Sequence, residues 1–239
     1  MVYISVLGAT LLAGIVQGTV GFGGGIITML IFPYFFGITV GAGITSALGI
    51  ALCSMMAIRY RKELVVKMAI LPAILYNIVC GFVIRYSVMV DPAVIKKIFG
   101  VFLVVLACYY LFISKSVQDR KLTLGVSIVC IVISATCDSL FGIGGPLMVL
   151  YFMSMTTKTH EYLGTIQLFF FTNSVCNTTM RFMNGILRPE HLIYILCGVV
   201  GVLAGGVLAG KIVDRLNIMM MRKLIYVMIG VSGVLNLIG

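Results

Sequence analysis

Gln17-Gly18-Thr19-Val20-Gly21-Phe22-Gly23-Gly24-Gly25 puts five glycines into nine residues of an otherwise apolar N-terminus. The pattern returns as Asp138-Ser139-Leu140-Phe141-Gly142-Ile143-Gly144-Gly145-Pro146. At a constant offset of 121 residues, Gly21, Gly23 and Gly24 fall on Gly142, Gly144 and Gly145, and Gln17 falls on Asp138. A short apolar run follows each motif, Ile26 to Phe36 and Leu147 to Met155. The longer of the two rises only ~16 Å as a helix, about half of a ~30 Å hydrocarbon core. Each motif therefore reads as a break between a spanning helix and a half-length one.

Outside the motifs the chain is built for lipid. Of 239 residues, 61% are hydrophobic and 10% charged, against ~45–50% apolar and ~25% charged in a soluble domain. Seven acidic residues could not cover a soluble globule of this length. Apolar runs occupy about 2–20, 25–36, 42–58, 68–86 and 98–113, then 122–138, 146–155, 161–180, 190–209 and 219–238. Most reach the ~17–25 residues that span a bilayer. The first has neither a basic lead nor a cleavage site, so it does not read as a removable signal peptide.

The sequence predicts an all-α polytopic membrane protein of about 8–10 membrane segments, one transporter domain over 1–239. Internal repeats cover about 1–116 and 120–239, each a glycine-broken hairpin plus three transmembrane helices. Arg59 and Arg181 each close the third run of their half, and Lys97 falls on Arg222. An odd number of runs per half makes the second repeat inverted, a common transporter plan.

The formal charge of +10 follows from loop Lys and Arg, which set topology; no nucleic-acid motif accompanies it. If each glycine motif turns the chain back, twelve basic residues fall on one side. Five (Arg85, Lys96, Lys97, Arg181 and Arg188) fall on the other. If each motif merely interrupts one crossing, the split is nine to eight and the bias vanishes. The first arrangement is preferred, with both termini outside.

Candidate chemistry concentrates at the breaks. A helix N-terminus carries free N–H groups and roughly half a positive charge, so it attracts anions. Gly21, Gly23, Gly24 and Gly25, with Gly142, Gly144 and Gly145, would bring two such termini together; close helix packing is the competing explanation. Asp138 is the single charge between Val126 and Leu150. An acid at that depth is a candidate for coupling or gating, or else caps the following helix. Asn173, Asn177 and Arg181 share one face of the 161–180 run, as lining of a path or as interhelical hydrogen-bond partners. Thr45, Ser46, Gly49, Cys53 and Ser54 form a smaller polar counterpart in the first half.

No enzyme motif is found. Gly21-Phe-Gly-Gly-Gly lacks the Gly-Lys-Ser/Thr of a phosphate loop, there are two histidines, and no ligand cluster suggests a metal. No cofactor is expected. Seven cysteines lie singly in apolar runs, without a C-x-x-C pair, so no disulfide framework is expected.

Gly21-Phe-Gly-Gly-Gly and Gly142-Ile-Gly-Gly-Pro, in a doubly repeated membrane chain of this size, resemble the sulfite exporter TauE/SafE family. The resemblance extends over essentially the whole chain. It implies a secondary transporter in the bacterial cytoplasmic membrane that moves sulfite or another small organosulfur or carboxylate anion. Pro33 matches a proline that ends the family's first short helix; the second half has Pro146 at the start instead. The expected partners are a small anion and the lipid bilayer, with no nucleic acid, and a homo-oligomer is compatible with such a chain. Gln17, the seven motif glycines, Asn173, Asn177 and Arg181 are the expected binding residues. An inside-negative potential drives an anion outward by ~2.3 kcal/mol per charge per 100 mV, so export of a monoanion needs no coupled ion. A thiol-dependent membrane assembly factor acting through Cys137, and an anion channel, are the alternatives.

Overall fold

The structure, a computed structural model, describes residues 2–87 and 123–214, with isolated positions 89, 91, 94 and 220. The runs expected at 98–113 and 219–238, and the match of Lys97 with Arg222, lie outside these residues. The described elements are all helical: α1 (Val2–Val20), α2 (Gly24–Phe36), α3 (Ile38–Arg59) and α4 (Val66–Ser87). After the undescribed stretch come α5 (Leu124–Phe141), α6 (Gly145–Met155), α7 (Thr159–Met183) and α8 (Leu192–Val213). A 3₁₀ turn, Pro189–His191, leads into α8.

The glycines act where the chain breaks. Gly21, Gly23 and Gly142 have φ of 89°, 98° and 67°, left-handed values that cost glycine little and other residues much. Gly142 ends α5, its N–H donating to the Asp138 carbonyl. Gly144 has an ordinary negative φ; its need for glycine is one of space, described below. Pro146 sits in the first turn of α6, where its missing N–H would have had no helical partner.

Contacts at the two ends fix the helix directions. At one end, Arg59 pairs with Asp214 at 3.2 Å, Tyr60 stacks on His160, and the Tyr162 hydroxyl donates to the Val20 carbonyl. This end gathers the C-termini of α1, α3 and α8 and the start of α7. At the other end, Tyr194 stacks on Tyr3 and meets Phe36 edge-on, and Arg181 donates to the carbonyls of Thr39 and Ser139. So α1 runs towards the first end and α2 returns from it, while α5 runs towards the second and α6 returns. Each glycine motif reverses the chain. Arg59, Arg61, Lys62, Lys67, Lys158 and Lys211 fall at or beside the first, basic end, and Arg85, Arg181 and Arg188 at the other.

Among the described residues five spans are long and apolar enough to cross a membrane: α1, α3, α4, α5 and Pro189–Val213. The longest described helix, α7, is not among them because of its polar face. It escapes lipid by lying centrally, packed on α3 and α4, with Tyr162, Thr165, Gln167, Phe169, Asn177 and Arg181 at most 1% exposed. Outward faces carry Ile70, Leu71, Ile74, Ile78 and Phe82 on α4 and Ile193, Leu196 and Val200 on α8.

The first helix of each half packs on the last described helix of the other: α1 on α8, α5 on α4. Glycines let α1 and α8 approach with backbones nearly touching, as small residues do in membranes. A Cβ at Gly14 would strike the Val202 carbonyl, and one at Gly205 the Leu11 carbonyl. One at Gly8, by contrast, would meet nothing within 4 Å. Gly205→Leu is therefore expected to lower the thermal midpoint in detergent steeply, and Gly8→Leu to leave it within a few degrees. Equal midpoints for the two variants would contradict this packing.

Candidate functional site

The two breaks meet at the centre of the molecule. A Cβ on Gly25 would strike the Gly142 carbonyl oxygen, and one on Gly145 would lie 3.0 Å from the Phe22 Cβ. Glycine at 25 and 145 thus serves close approach between the halves. Beside this contact lies a cavity of about 70 Å³, walled by both breaks, by Thr45, Ser46, Gly49 and Cys53 of α3, and by Phe170, Asn173 and Ser174 of α7. One water needs ~10–15 Å³ by this kind of measure, so the space suits an ion of a few heavy atoms.

Helix α7 holds both breaks with a ladder of side chains. Tyr162 Oη donates to the Val20 carbonyl at 3.1 Å and Gln167 Nε2 to the Gly21 carbonyl at 3.1 Å. Further along, Asn173 Nδ2 and Asn177 Nδ2 donate to Asp138 Oδ2 at 2.6 and 2.8 Å. Arg181 Nη2 then donates to the Ser139 carbonyl at 2.6 Å and Nη1 to that of Thr39 at 3.1 Å. From Tyr162 to Arg181 the ladder climbs ~28 Å at ~1.5 Å per residue, most of a hydrocarbon core. Broken backbone is tolerated at membrane depth only where protein or water satisfies it; α7 supplies that satisfaction.

The repeat-matched residues Gln17 and Asp138 each lie over the start of their short helix, one residue out of register with each other. The Gln17 carboxamide oxygen occupies the place a Gly24 Cβ would need, and the Asp138 Cβ lies 2.6 Å from where a Gly144 Cβ would stand. Gln17 Nε2 donates to Cys53 Sγ at 3.2 Å and reaches Gln167 Oε1 at 3.5 Å. The Asp138 carboxylate also accepts from the Gly144 backbone N–H, so it sits on the N-terminus of α6. Ser134 Oγ donates to the Gly144 carbonyl, and the Tyr76 hydroxyl donates to the Ser134 carbonyl at 3.3 Å.

Among the residues expected from the sequence, Gln17, Gly23, Gly25, Asp138, Gly142, Gly144, Gly145 and Asn173 line the cavity. Asn177 reaches the same carboxylate oxygen from behind the wall. Gly21 and Gly24 stand back from it, against Tyr162 and the Gln17 side chain. Arg181 is fully buried and is not part of the cavity wall; its guanidinium ties the end of α5 to the start of α3. Ser134 and Tyr162 were not singled out from the sequence. Ser134 lies four residues before Asp138, on the same helix face, and that spacing was the available signal. Among the described residues no group of three or more His, Cys, Asp or Glu could hold a metal ion.

A helical membrane bundle with a small central cavity between two chain reversals is an architecture that suits a multi-pass transporter. The family model for Sulfite exporter TauE/SafE matches residues 6–235, and the chain belongs to that family. Neither the curated proteins nor the solved structures gave a match.

Arg181→Met removes donors from the Ser139 and Thr39 carbonyls in a dry setting, where a hydrogen bond to a charged group is worth ~1.5–3 kcal/mol. The expected result is a loss of monodisperse protein on mild heating in detergent, with or without anion present. Wild-type stability in this variant would show that the guanidinium is no structural tie.

Proposed function

We propose that the protein is a secondary transporter of a small anion, exporting sulfite or a related organosulfur anion across the bacterial cytoplasmic membrane. The observation that carries this reading is the cavity of about 70 Å³ walled by both glycine breaks. It is central, sized for a few heavy atoms and lined in part by polar side chains, and the family's description names a sulfite exporter. Gln17, Gly23, Gly25, Gly142, Gly144, Gly145 and Asn173 form the anion's surroundings, with Gly21, Gly24, Asn177 and Arg181 holding that wall in place, and Asp138 couples or gates. The basic end, by the positive-inside rule, faces the cytoplasm, which puts the start of α1 outside.

The two halves act as inverted repeats within one transporter domain. Supporting this are the same order of elements in each half, the opposed directions of α1 and α5, and the reciprocal packing of α1 on α8 and α5 on α4. Such halves can rock about a shared site and open it to each side in turn. The described cysteines are free thiols, and no observation favours a thiol-dependent role.

Efflux from proteoliposomes loaded with sulfite, sulfoacetate, thiosulfate, sulfate or carboxylates tests the reading. Sulfur oxyanions are expected to leave faster than from protein-free vesicles. Ser46→Leu, which fills the cavity from α3, is expected to cut that flux at least tenfold while the protein stays in the membrane. Undiminished flux in Ser46→Leu would sink the cavity as the site.

A further inference from the structure

The cavity proposed to receive an anion has an acid, Asp138, in its own wall. Among the described residues that line it, Asp138 is the only carboxylate and none is Lys, Arg or His. Its oxygens take the donors a substrate anion would seek: the Asn173 and Asn177 amides and the Gly144 N–H at the start of α6. A second anion placed in so small a space would stand within a few ångströms of a like charge, with little water to screen it.

The surrounding groups do not relieve that repulsion. Asp138 is faced by Tyr76 and Cys80 of α4, Cys53 of α3, Cys137 of its own helix and Arg181 of α7. Tyr76, Cys80, Cys53 and Cys137 are neutral when protonated, so they contribute no cation. Arg181 is the sole cation of the set, and its charge balances Asp138 in the empty site.

We propose, resting on the transporter reading above, that Asp138 is a tethered stand-in for the substrate and that each anion enters the cavity together with one proton, which neutralises Asp138. The proton passes from water to a carboxylate oxygen; no other bond forms or breaks. The Asn173 amide, which lines the cavity, then turns from the carboxylate to the incoming anion, while Asn177 and the backbone N–H of Gly144 keep Asp138 in place. Arg181 with ionised Asp138 sums to zero; Arg181 with neutral Asp138 and a bound monoanion also sums to zero. Both the empty and the loaded site can thus cross between open states without carrying a buried net charge, which a membrane interior penalises heavily. Gln17, the repeat mate, bears no charge, so the coupling belongs to the second break alone. For a monoanion the cycle is electroneutral. The membrane potential then drops out as a driving force, and the substrate and pH gradients set direction.

The test counts protons. Wild-type protein in proteoliposomes carries an internal pH-sensitive dye, the potential is clamped with potassium and valinomycin, and the probes are sulfite, methanesulfonate and thiosulfate. For each probe that moves, one proton is expected beyond those the anion itself carries at that pH. In Asp138→Asn the excess proton per anion is expected to fall to zero on whatever flux remains. Wild-type flux with no excess proton, driven instead by the potential, would overturn the coupling and leave the transporter reading intact. No flux of any probe would overturn the transporter reading itself. The wild-type count decides the matter even if Asp138→Asn does not fold.

Discussion

A backbone broken at membrane depth has to find its hydrogen bonds inside the protein, and in this fold one helix provides them for both breaks. The side chains of α7 reach the carbonyls of Val20 and Gly21 at one level, and Asp138 and the Ser139 carbonyl at another. This requirement explains several features together. α7 is the longest described helix, it lies centrally, and it is too polar to count as a membrane span by composition. Its polarity is affordable only because α3 and α4 keep lipid away from it.

The same ladder positions a site. Holding the two breaks on one rigid helix brings Gly25 against Gly142 and leaves a small polar space between them and α3. The two halves contribute unequally to that space. The first break brings a carboxamide, Gln17, hydrogen-bonded to Cys53 and reaching towards Gln167. The second brings a carboxylate that takes up nearby N–H donors. A site with two positive helix ends would attract any anion; on the proposed coupling, a site with one end held by its own acid would accept an anion only once that acid is neutralised. Specificity and coupling would then come from one side chain, at the place where the twofold pattern of the sequence is broken.

Much of the fold was legible in the sequence, and the reason is local. Left-handed glycines, a proline at a helix start and uninterrupted apolar runs are readable from neighbours alone. Thus Val2–Val20, Gly24–Phe36 and Gly145–Met155 fall within a residue of the runs read from the sequence. The other described runs lengthened at one or both ends, as α3 did back to Ile38, because polar and small residues at helix ends do not stop a helix that is packed. The site was legible in part, through duplication: an offset of 121 residues tied Gln17 to Asp138 and the two glycine sets to each other. Arg181 shows where legibility ends. Its helical spacing from Asn173 and Asn177 placed it correctly on one face. Only the fold shows that the C-terminal carbonyls of α5 and the start of α3 close around its guanidinium, leaving it behind the cavity wall. The contact of α1 with α8 was equally hidden, since it joins distant segments through backbone approach at glycine.

The central claim is that one anion site lies between the two glycine breaks. Crystals grown with selenite, the heavier analogue of sulfite, at mildly acidic pH would locate the anion directly through the anomalous scattering of selenium. The expected result is a single strong peak in the cavity, in contact with Asn173 and beside the close approach of Gly25 to Gly142. A peak confined to the basic end, beside Arg61 and Lys62, with the cavity empty of selenium, would contradict it.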